Sequence, residues 1–346
     1  MNGTVPSRAL LATALAPTLL LTACTGSTEA DATGTPTRVV LADAQPVGEF
    51  DPVNGYGELG VSPIFEGLLR PESSGDDALP ELVPALAASA PEPNDDNTVW
   101  DVELRTDVTF SDGSALDAED VVATYSAVID PDTASEVAGS YSMIEAVTAV
   151  DDHHVRFTLN YPYYAMPARL TLGITPSEEI TPGPAADSER NRAPVGTGPY
   201  VLADLSADQA VFEANPEYHG TAPEVTELVI LSVPDDNTRA QRMRAGNIDG
   251  TVLPPVTAQT FADVDGTEVV PVRTAEWRGL SLPSDHPFTA DPNARLAMNL
   301  GVDRDGVVEN VLAGHGRPAH TPVPDVYGAA HDPEAVFEYD PEAAAD

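Results

Sequence analysis

The sequence predicts an α/β protein, because alternating segments typical of strands are followed by capped amphipathic segments typical of helices. Residues 104–125, LRTDVTFSDGSALDAEDVVATY, contain both signals. Apolar residues alternate through the first half, and the Asp-Gly dipeptide at 112–113 predicts a tight turn, since glycine tolerates positive φ. Asp117 then stands as a helix N-cap, with Asp120 where a capping box places its acid. A strand, a turn and a helix are therefore expected in that order.

Residues 1–23 are expected to be an export signal that is absent from the mature protein. Arg8 is their only charge, and the apolar core at 9–21 is too short to span a membrane. The following LTAC motif matches the bacterial lipobox, whose cysteine carries diacylglycerol and becomes the new N-terminus. Its cysteine is Cys24, the only one in the chain. A buried core thiol is the alternative, but small polar residues follow, so 24–35 are predicted to form a flexible tether.

The composition limits the partners of the protein. The 346 residues include 56 Asp and Glu against 16 basic residues, all arginine, which gives a formal net charge of −40. Such a charge excludes general affinity for nucleic acid or anionic lipid, because the electrostatic interaction is repulsive. The 42% of apolar residues suffice for a substantial core. The length suggests two or three domains, and a monomer is expected.

The first half of the chain contains several further segments with strand or helix patterns. Residues 37–43 and 99–104 alternate as strands, whereas 62–69 are expected to form a short helix that packs its apolar side chains inward. Residues 145–159 predict a hairpin whose turn contains two adjacent histidines. That pair could suggest a metal site, but neighbours on a strand point to opposite faces, so the turn interpretation is preferred. A short helix is expected within 161–172.

The motif PVGTGPY at 194–200 carries two glycines in a setting that excludes a dinucleotide fingerprint. Such a fingerprint needs a preceding strand, a third glycine and a following helix, and here a proline-rich loop precedes and a strand follows. Gly196 and Gly198 are therefore assigned to tight backbone geometry. Further along the chain, 227–233 predict a core strand and 236–245 a helix.

The last predicted elements are a strand pair and two helices. Residues 266–282 alternate as two strands, and 286–304 begin a region with two helices. Asp303 is expected to cap the second of these helices, and Gly314 to end it.

Several of these motifs together resemble the signatures of family 5 extracellular solute-binding proteins, the oligopeptide, dipeptide and nickel receptors of ABC importers. Residues 104–125 are similar to its LR-x-x-V-x-F-x-DG-x-x-x-x-A-x-DV motif, and PVGTGPY is shared. NPEYHG at 215–220 is similar to N-P-x-Y-W-G, with His219 in place of the usual tryptophan. HPFTADPNARLAMNLGVDR at 286–304 is similar to another family motif.

The resemblance implies a periplasmic-binding-protein type II-like fold of two lobes with an inserted subdomain. Lobe I would comprise 36–70 and 194–283, and the inserted subdomain 71–193. Residues 284–346 would begin lobe II, which is expected to be incomplete because full-length relatives continue for most of a lobe. A ligand would bind between the lobes, and ABC permease subunits and the membrane, through the lipid anchor, would be the other partners.

Five candidate ligand contacts follow from the same resemblance. Tyr56, Gly57 and Glu58 lie in the variable loop that lines the cleft in the family, where Tyr56 could stack and Glu58 could pair with an ammonium group. Trp277 could stack on a ligand and Arg278 could pair with a carboxylate. An ordinary solvent loop, a core tryptophan and a solvated arginine are the respective alternatives.

Enzymatic function finds no motif to support it. The sequence has no G-x-S-x-G, no H-E-x-x-H and no cysteine nucleophile after residue 24, so no cofactor is expected. Three hypotheses stay open: a peptide receptor, a receptor for another solute such as a nickel chelate, and a lipoprotein that does not transport. A peptide is preferred, because no histidine arrangement suits a chelate. We expect the 346-residue chain to bind its solute weakly or not at all without more of lobe II.

Overall fold

The computed structural model describes residues 37–75, 78–272, 274–283 and 285–346. The predicted export signal, Cys24 and the tether lie outside these residues. Within the described ranges, no helix has both the length and the apolar character that a membrane span requires.

The strands and helices of the described residues follow each other in an α/β order. The strands are β1 (Arg38–Asp43), β2 (Leu69–Glu72), β3 (Glu81–Pro84), β4 (Glu92–Pro93), β5 (Val99–Glu103), β6 (Ile144–Asp151), β7 (His154–Leu159), β8 (Tyr200–Leu205), β9 (Gln209–Ala214), β10 (Glu227–Ser232) and β11 (Gly250–Thr251). The helices are α1 (Ala118–Ile129), α2 (Asp236–Arg244), α3 (Pro255–Ala258), α4 (Pro287–Ala290), α5 (Pro292–Leu300) and α6 (Arg304–Asn310).

A five-stranded mixed sheet joins the start of the chain to its middle. Its strand order is β11-β1-β10-β9-β8, and β1 runs parallel to β10 with Arg38 opposite Glu227. The two segments predicted as core strands, 37–43 and 227–233, therefore lie side by side in one sheet. One face of the sheet packs on a small aromatic core that includes Phe50, Phe65 and Phe212.

A second, antiparallel sheet has the order β4-β5-β7-β6 and carries the largest hydrophobic core among the described residues. Helix α1 packs against it and buries Tyr125 and Val128 completely. The helix begins as predicted: Asp117 accepts a hydrogen bond from the backbone of Glu119 (2.8 Å), and Asp120 accepts one from the backbone of Asp117 (2.9 Å). The capping box is thus confirmed, as is the hairpin formed by β6 and β7.

The predicted helix at 62–69 is wrong, because its backbone is hydrogen-bonded to other segments. The carbonyl of Pro63 accepts from Tyr200, that of Ile64 from Gly198, and β2 begins at Leu69. A Cβ on Gly198 would lie 2.5 Å from the backbone of Ile64. The tight-packing role predicted for the two PVGTGPY glycines is confirmed, since an added Cβ at Gly196 would likewise meet Ile64, at 2.3 Å.

The predicted strand pair at 266–282 is also wrong, because no described strand lies beside this segment to complete its hydrogen bonds. Val272 and Leu280 are correspondingly exposed. The segment at 161–172 forms only a 3₁₀ turn, at Met166–Arg169. The helices after residue 286 are confirmed, with Asp303 accepting from the backbone of Gly306 (2.8 Å), although α6 ends before Gly314.

Candidate functional site

The connection that follows β1, residues 44–60, is the strongest candidate for a functional loop. It leaves the carboxyl end of β1, beside the carboxyl end of the parallel strand β10. In open α/β sheets, ligands bind in the crevice at the carboxyl ends of the parallel strands. Two ion pairs join this loop to residues of the predicted inserted subdomain, one near its middle and one near its end.

The first pair is Asp51 with Arg190, which we call the base clamp. The guanidinium donates Nε to Oδ1 (3.1 Å) and Nη2 to Oδ2 (2.8 Å), and both side chains are almost fully buried. Asp51 also accepts from the backbone of Val53 (2.9 Å), and Arg190 donates Nη1 to the carbonyl of Glu179. Bidentate geometry and extra hydrogen bonds are what a buried pair needs to offset desolvation.

Tyr56 lies beyond the base clamp and is part of an aromatic cluster. Its ring meets Phe50 edge-on, with 5.1 Å between centroids, and Phe65 at 6.3 Å. Burial raises the pKa of the Tyr56 hydroxyl. The ring therefore packs within the protein, and its role as a stacking surface for ligand stays a prediction.

The end of the loop is held by the second pair, Glu58 with Arg169, which we call the tip pair. One hydrogen bond, from Nη1 to Oε1 at 3.3 Å, joins the two side chains, and both are partly exposed. The hydroxyl of Thr171 donates to the backbone carbonyl of Glu58 (2.8 Å). Gly57 adopts a φ of +69°, which favours glycine in this turn. The carboxylate of Glu58 thus already has a cationic partner.

Two polar atoms near the tip pair are buried without a hydrogen-bond partner in the structure: Nε of Arg169 and the hydroxyl of Tyr141. Burial raises the pKa of Tyr141, the charge of Glu58 raises it further, and Arg169 opposes this. For Arg169, burial works to lower the pKa, but Tyr163, Tyr141 and Glu58 raise it overall. The tip is therefore a region of incompletely satisfied polar groups.

The other predicted contacts lie on a segment without regular secondary structure. Trp277 is 46% exposed, and Arg278 is exposed and donates Nη2 to Glu276 (3.1 Å). Among the described residues, no aromatic contact or hydrogen bond joins this segment to Tyr56, Gly57 or Glu58. The role of these five residues as ligand contacts stays a prediction.

Sequence reasoning missed Arg169 and the pair formed by His219 with Glu66. His219 Nε2 lies 2.7 Å from Glu66 Oε2, and both side chains are largely buried. The histidine in place of tryptophan in NPEYHG was a signal for the second pair. No comparable signal marked Arg169, whose partner is 111 residues away.

A surface depression of about 620 Å³ lies next to the loop, with Val47, Gly48 and Arg192 in its wall.

Comparison with known proteins identifies the family. The chain matches the model for bacterial extracellular solute-binding proteins, family 5 Middle, over residues 81–346. The chain therefore belongs to this family, and the predicted family and its α/β, type II-like fold are confirmed.

Three similar proteins illustrate the range of the family. Protein XP55 of Streptomyces lividans is 39% identical over 287 residues, covering 83% of this chain and 52% of that protein. Oligopeptide-binding protein AppA of Bacillus subtilis is 27% identical over 235 residues, covering 66% and 43%. The crystal structure of NikZ from Campylobacter jejuni in complex with Ni(L-His) has a TM-score of 0.79 at 25% identity, covering 90% and 62%. The chain spans about half the length of the curated relatives that it matches.

Proposed function

We propose that this protein is the solute-binding component of an ABC importer, which captures a small solute outside the cytoplasm and delivers it to the membrane permease. Membership of family 5 over residues 81–346 carries this proposal. The anchored loop after β1 supports it, because binding sites are placed on loops that a rigid scaffold positions. In this role Tyr56, Gly57, Glu58, Trp277 and Arg278 stay candidate contacts.

We propose a peptide as the solute. AppA, an oligopeptide-binding protein by name, is among the relatives. Three of the described histidines also make separate internal contacts: His219 with Glu66, His154 with Asp151, and His331 with the carbonyl of Val323. A nickel chelate is the second candidate, favoured by the structural likeness to NikZ with Ni(L-His).

Thermal-shift screening of the whole protein against a peptide library and nickel–histidine tests the solute class. A ligand at a hundredfold over its Kd stabilises the folded state by about 2.7 kcal/mol. We expect at least one peptide to raise the midpoint of unfolding and nickel–histidine to leave it unchanged. A response to the nickel complex alone would replace the peptide assignment, and no response to either would contradict solute capture by the whole protein.

We further propose that Cys24 carries a lipid that anchors the mature protein to the membrane. The lipobox and the short apolar core before it support this proposal.

The absence of lysine makes a sharp test possible, because the α-amino group is then the only primary amine of the chain. Palmitate-analogue labelling should mark the wild type and not Cys24→Ala. If the cysteine is also N-acylated, amine-reactive reagents should fail to label the wild-type protein. Equal palmitate labelling of both proteins would contradict the anchor.

A further inference from the structure

The loop after β1 contains an Asn-Gly dipeptide, Asn54-Gly55, in the turn that follows Asp51. No other asparagine after residue 24 is followed by glycine. Glycine has no side chain to keep its backbone nitrogen away from a neighbouring side-chain amide, and its backbone reaches conformations that other residues avoid. This dipeptide is therefore the place in the chain where an asparagine can most readily react with its own backbone.

We propose that Asn54 is a site of spontaneous deamidation, and that the closed turn suppresses this reaction until the loop opens locally. In the reaction, the backbone nitrogen of Gly55 gives up its proton and bonds to Cγ of Asn54. The bond from Cγ to Nδ2 breaks, and ammonia leaves with that proton. Water then opens the five-membered succinimide to aspartate or isoaspartate. Nothing is oxidised or reduced, since asparagine and water give aspartate, or its isomer, and ammonia.

Hydrogen bonds occupy the groups that have to react. The backbone N–H of Gly55 donates to the carbonyl of Pro52 (2.9 Å), so the attacking nitrogen is engaged in the turn. Oδ1 of Asn54 accepts from the backbone of Glu136 (3.2 Å), which fixes the orientation of the side-chain amide. The backbone N–H of Asn54 donates to the carbonyl of Asp51 (3.0 Å). Ring closure requires the first two of these bonds to break, and the closed turn therefore opposes it.

Packing against a segment that follows α1 reinforces the turn. A Cβ on Gly55 would lie 2.4 Å from Cγ1 of Val137, so the backbone of the turn rests on that side chain. Just before the dipeptide, the carbonyl of Val53 accepts from the hydroxyl of Ser135 (2.6 Å). Asn54 and Gly55 are themselves only partly buried. Water can therefore reach the dipeptide, and the obstacle to the reaction is the conformation of the turn.

The rate of deamidation is therefore tied to the opening of the loop. A reaction that needs an open form follows the population of that form when opening and closing are faster than the reaction. Local opening takes microseconds to seconds, so it meets this condition for a slow covalent change. The change is one-way, because isoaspartate places Cβ of residue 54 in the main chain. The lengthened backbone no longer fits the close contact of Gly55 with Val137.

Peptide mapping measures the conversion directly. Cleavage after glutamate releases residues 50–58, FDPVNGYGE, in which Asn54 is the only asparagine. The whole protein is aged at neutral pH, either folded or in urea, and the mass gained when the side-chain amino group becomes a hydroxyl group is followed with time. We expect the folded protein to convert measurably, and at least about tenfold more slowly than the unfolded chain.

Two variants separate local opening from global unfolding. Ser135→Ala removes the hydrogen bond to the carbonyl of Val53 and should speed the conversion by about fivefold, since the closed form loses one such bond. The matched control is Thr251→Ala, which removes a hydrogen bond to the carbonyl of Ala42 (2.8 Å) in the five-stranded sheet. It should leave the rate unchanged. Val137→Ala is a second variant at the turn and should also speed the conversion.

Hydrogen exchange of the Gly55 amide measures the opening independently, because this amide is bonded to Pro52 in the closed turn. Its exchange rate should rise by the same factor as the conversion rate in each variant. The proposal is overturned if folded and unfolded protein convert equally fast, or if only the unfolded protein converts. It is also overturned if Thr251→Ala speeds the conversion as much as Ser135→Ala, because the reaction would then follow global unfolding.

Discussion

The base clamp and the tip pair join the same loop to the same neighbouring region, yet they are built for different purposes. Asp51 and Arg190 are buried, bidentate and further hydrogen-bonded. Glu58 and Arg169 are partly exposed and share one long bond, with polar atoms left unpartnered beside them. The difference teaches that ion pairs of identical chemistry can hold one loop with unequal strength, firmly at Asp51 near its middle and weakly at Glu58 near its end.

Removing one partner from each pair gives the largest expected difference in stability between the base clamp and the tip pair. Asp51→Ala leaves the Arg190 charge buried and unpaired, so we expect a loss of about 3–5 kcal/mol in the free energy of unfolding. Glu58→Ala should cost at most about 1 kcal/mol, since its pair is partly solvated. Urea unfolding followed by circular dichroism measures both. Equal losses would show that the tip pair is as structural as the base clamp.

Alkaline pH should weaken the fold through the buried tyrosines that lie near the tip pair. Burial raises the pKa of Tyr125 and Tyr141 above their ordinary value of 10.0 in the folded state. The stability that these buried, protonated tyrosines give to the folded state is therefore fully present below pH 10 and is lost as the pH rises further. The loss should reach at most about 1.4 kcal/mol for each tyrosine at pH 11. The free energy of unfolding of wild type at pH 9 and pH 11 measures this loss. Tyr141→Phe should remove the part of the loss that Tyr141 causes. An unchanged pH dependence in that variant would contradict the assignment.

The two tyrosines near the tip should differ when their hydroxyls are removed at neutral pH. The hydroxyl of Tyr125 donates to the carbonyl of Arg169 (2.9 Å), so Tyr125→Phe should cost about 1 kcal/mol. The hydroxyl of Tyr141 has no hydrogen-bond partner among the residues that the structure describes, so Tyr141→Phe should be neutral or slightly stabilising. Chemical denaturation of the two variants side by side tests this, and a larger loss in Tyr141→Phe would reverse the interpretation.

Raising the salt concentration should give the smallest difference between the base clamp and the tip pair. Exposed charges are screened at high ionic strength and buried pairs much less. A double-mutant cycle for Glu58 and Arg169 should yield a coupling energy of a few tenths of a kcal/mol. This energy should decrease as sodium chloride is raised from about 0.05 M to about 1 M. The coupling energy of Asp51 with Arg190 should change little. Salt-sensitive coupling at the base would show that water reaches the clamp.

Local signals in the sequence predicted the local parts of the fold, because their causes lie within a few residues. The capping box of α1 and the β6–β7 hairpin are of this kind. The segment at 62–69 has the apolar spacing of a helix, but its carbonyls bind Gly198 and Tyr200, more than a hundred residues away in the chain. The strands expected at 266–282 needed a neighbouring strand that no local pattern specifies.

The candidate site was less predictable than the fold for the same physical reason. The loop containing Glu58 could be located by resemblance, but its charge balance depends on Arg169, 111 residues further on. Sequence reasoning assigned Glu58 a free charge, whereas the folded chain supplies the counter-charge itself. A pairing of this kind is set by tertiary packing, and single-sequence patterns do not contain it.

The parallel pairing of β1 with β10 has a consequence for how the chain acquires its fold. Arg38 and its cross-strand partner Glu227 are 189 residues apart. At ordinary rates of synthesis, β1 emerges roughly 10–40 s before β10 exists. The antiparallel sheet with α1 needs much nearer contacts and can form in that interval. An unpaired first strand is open to association with other chains. The pairing of β1 is therefore a late step of folding, because it has to wait for a partner that is made 189 residues later.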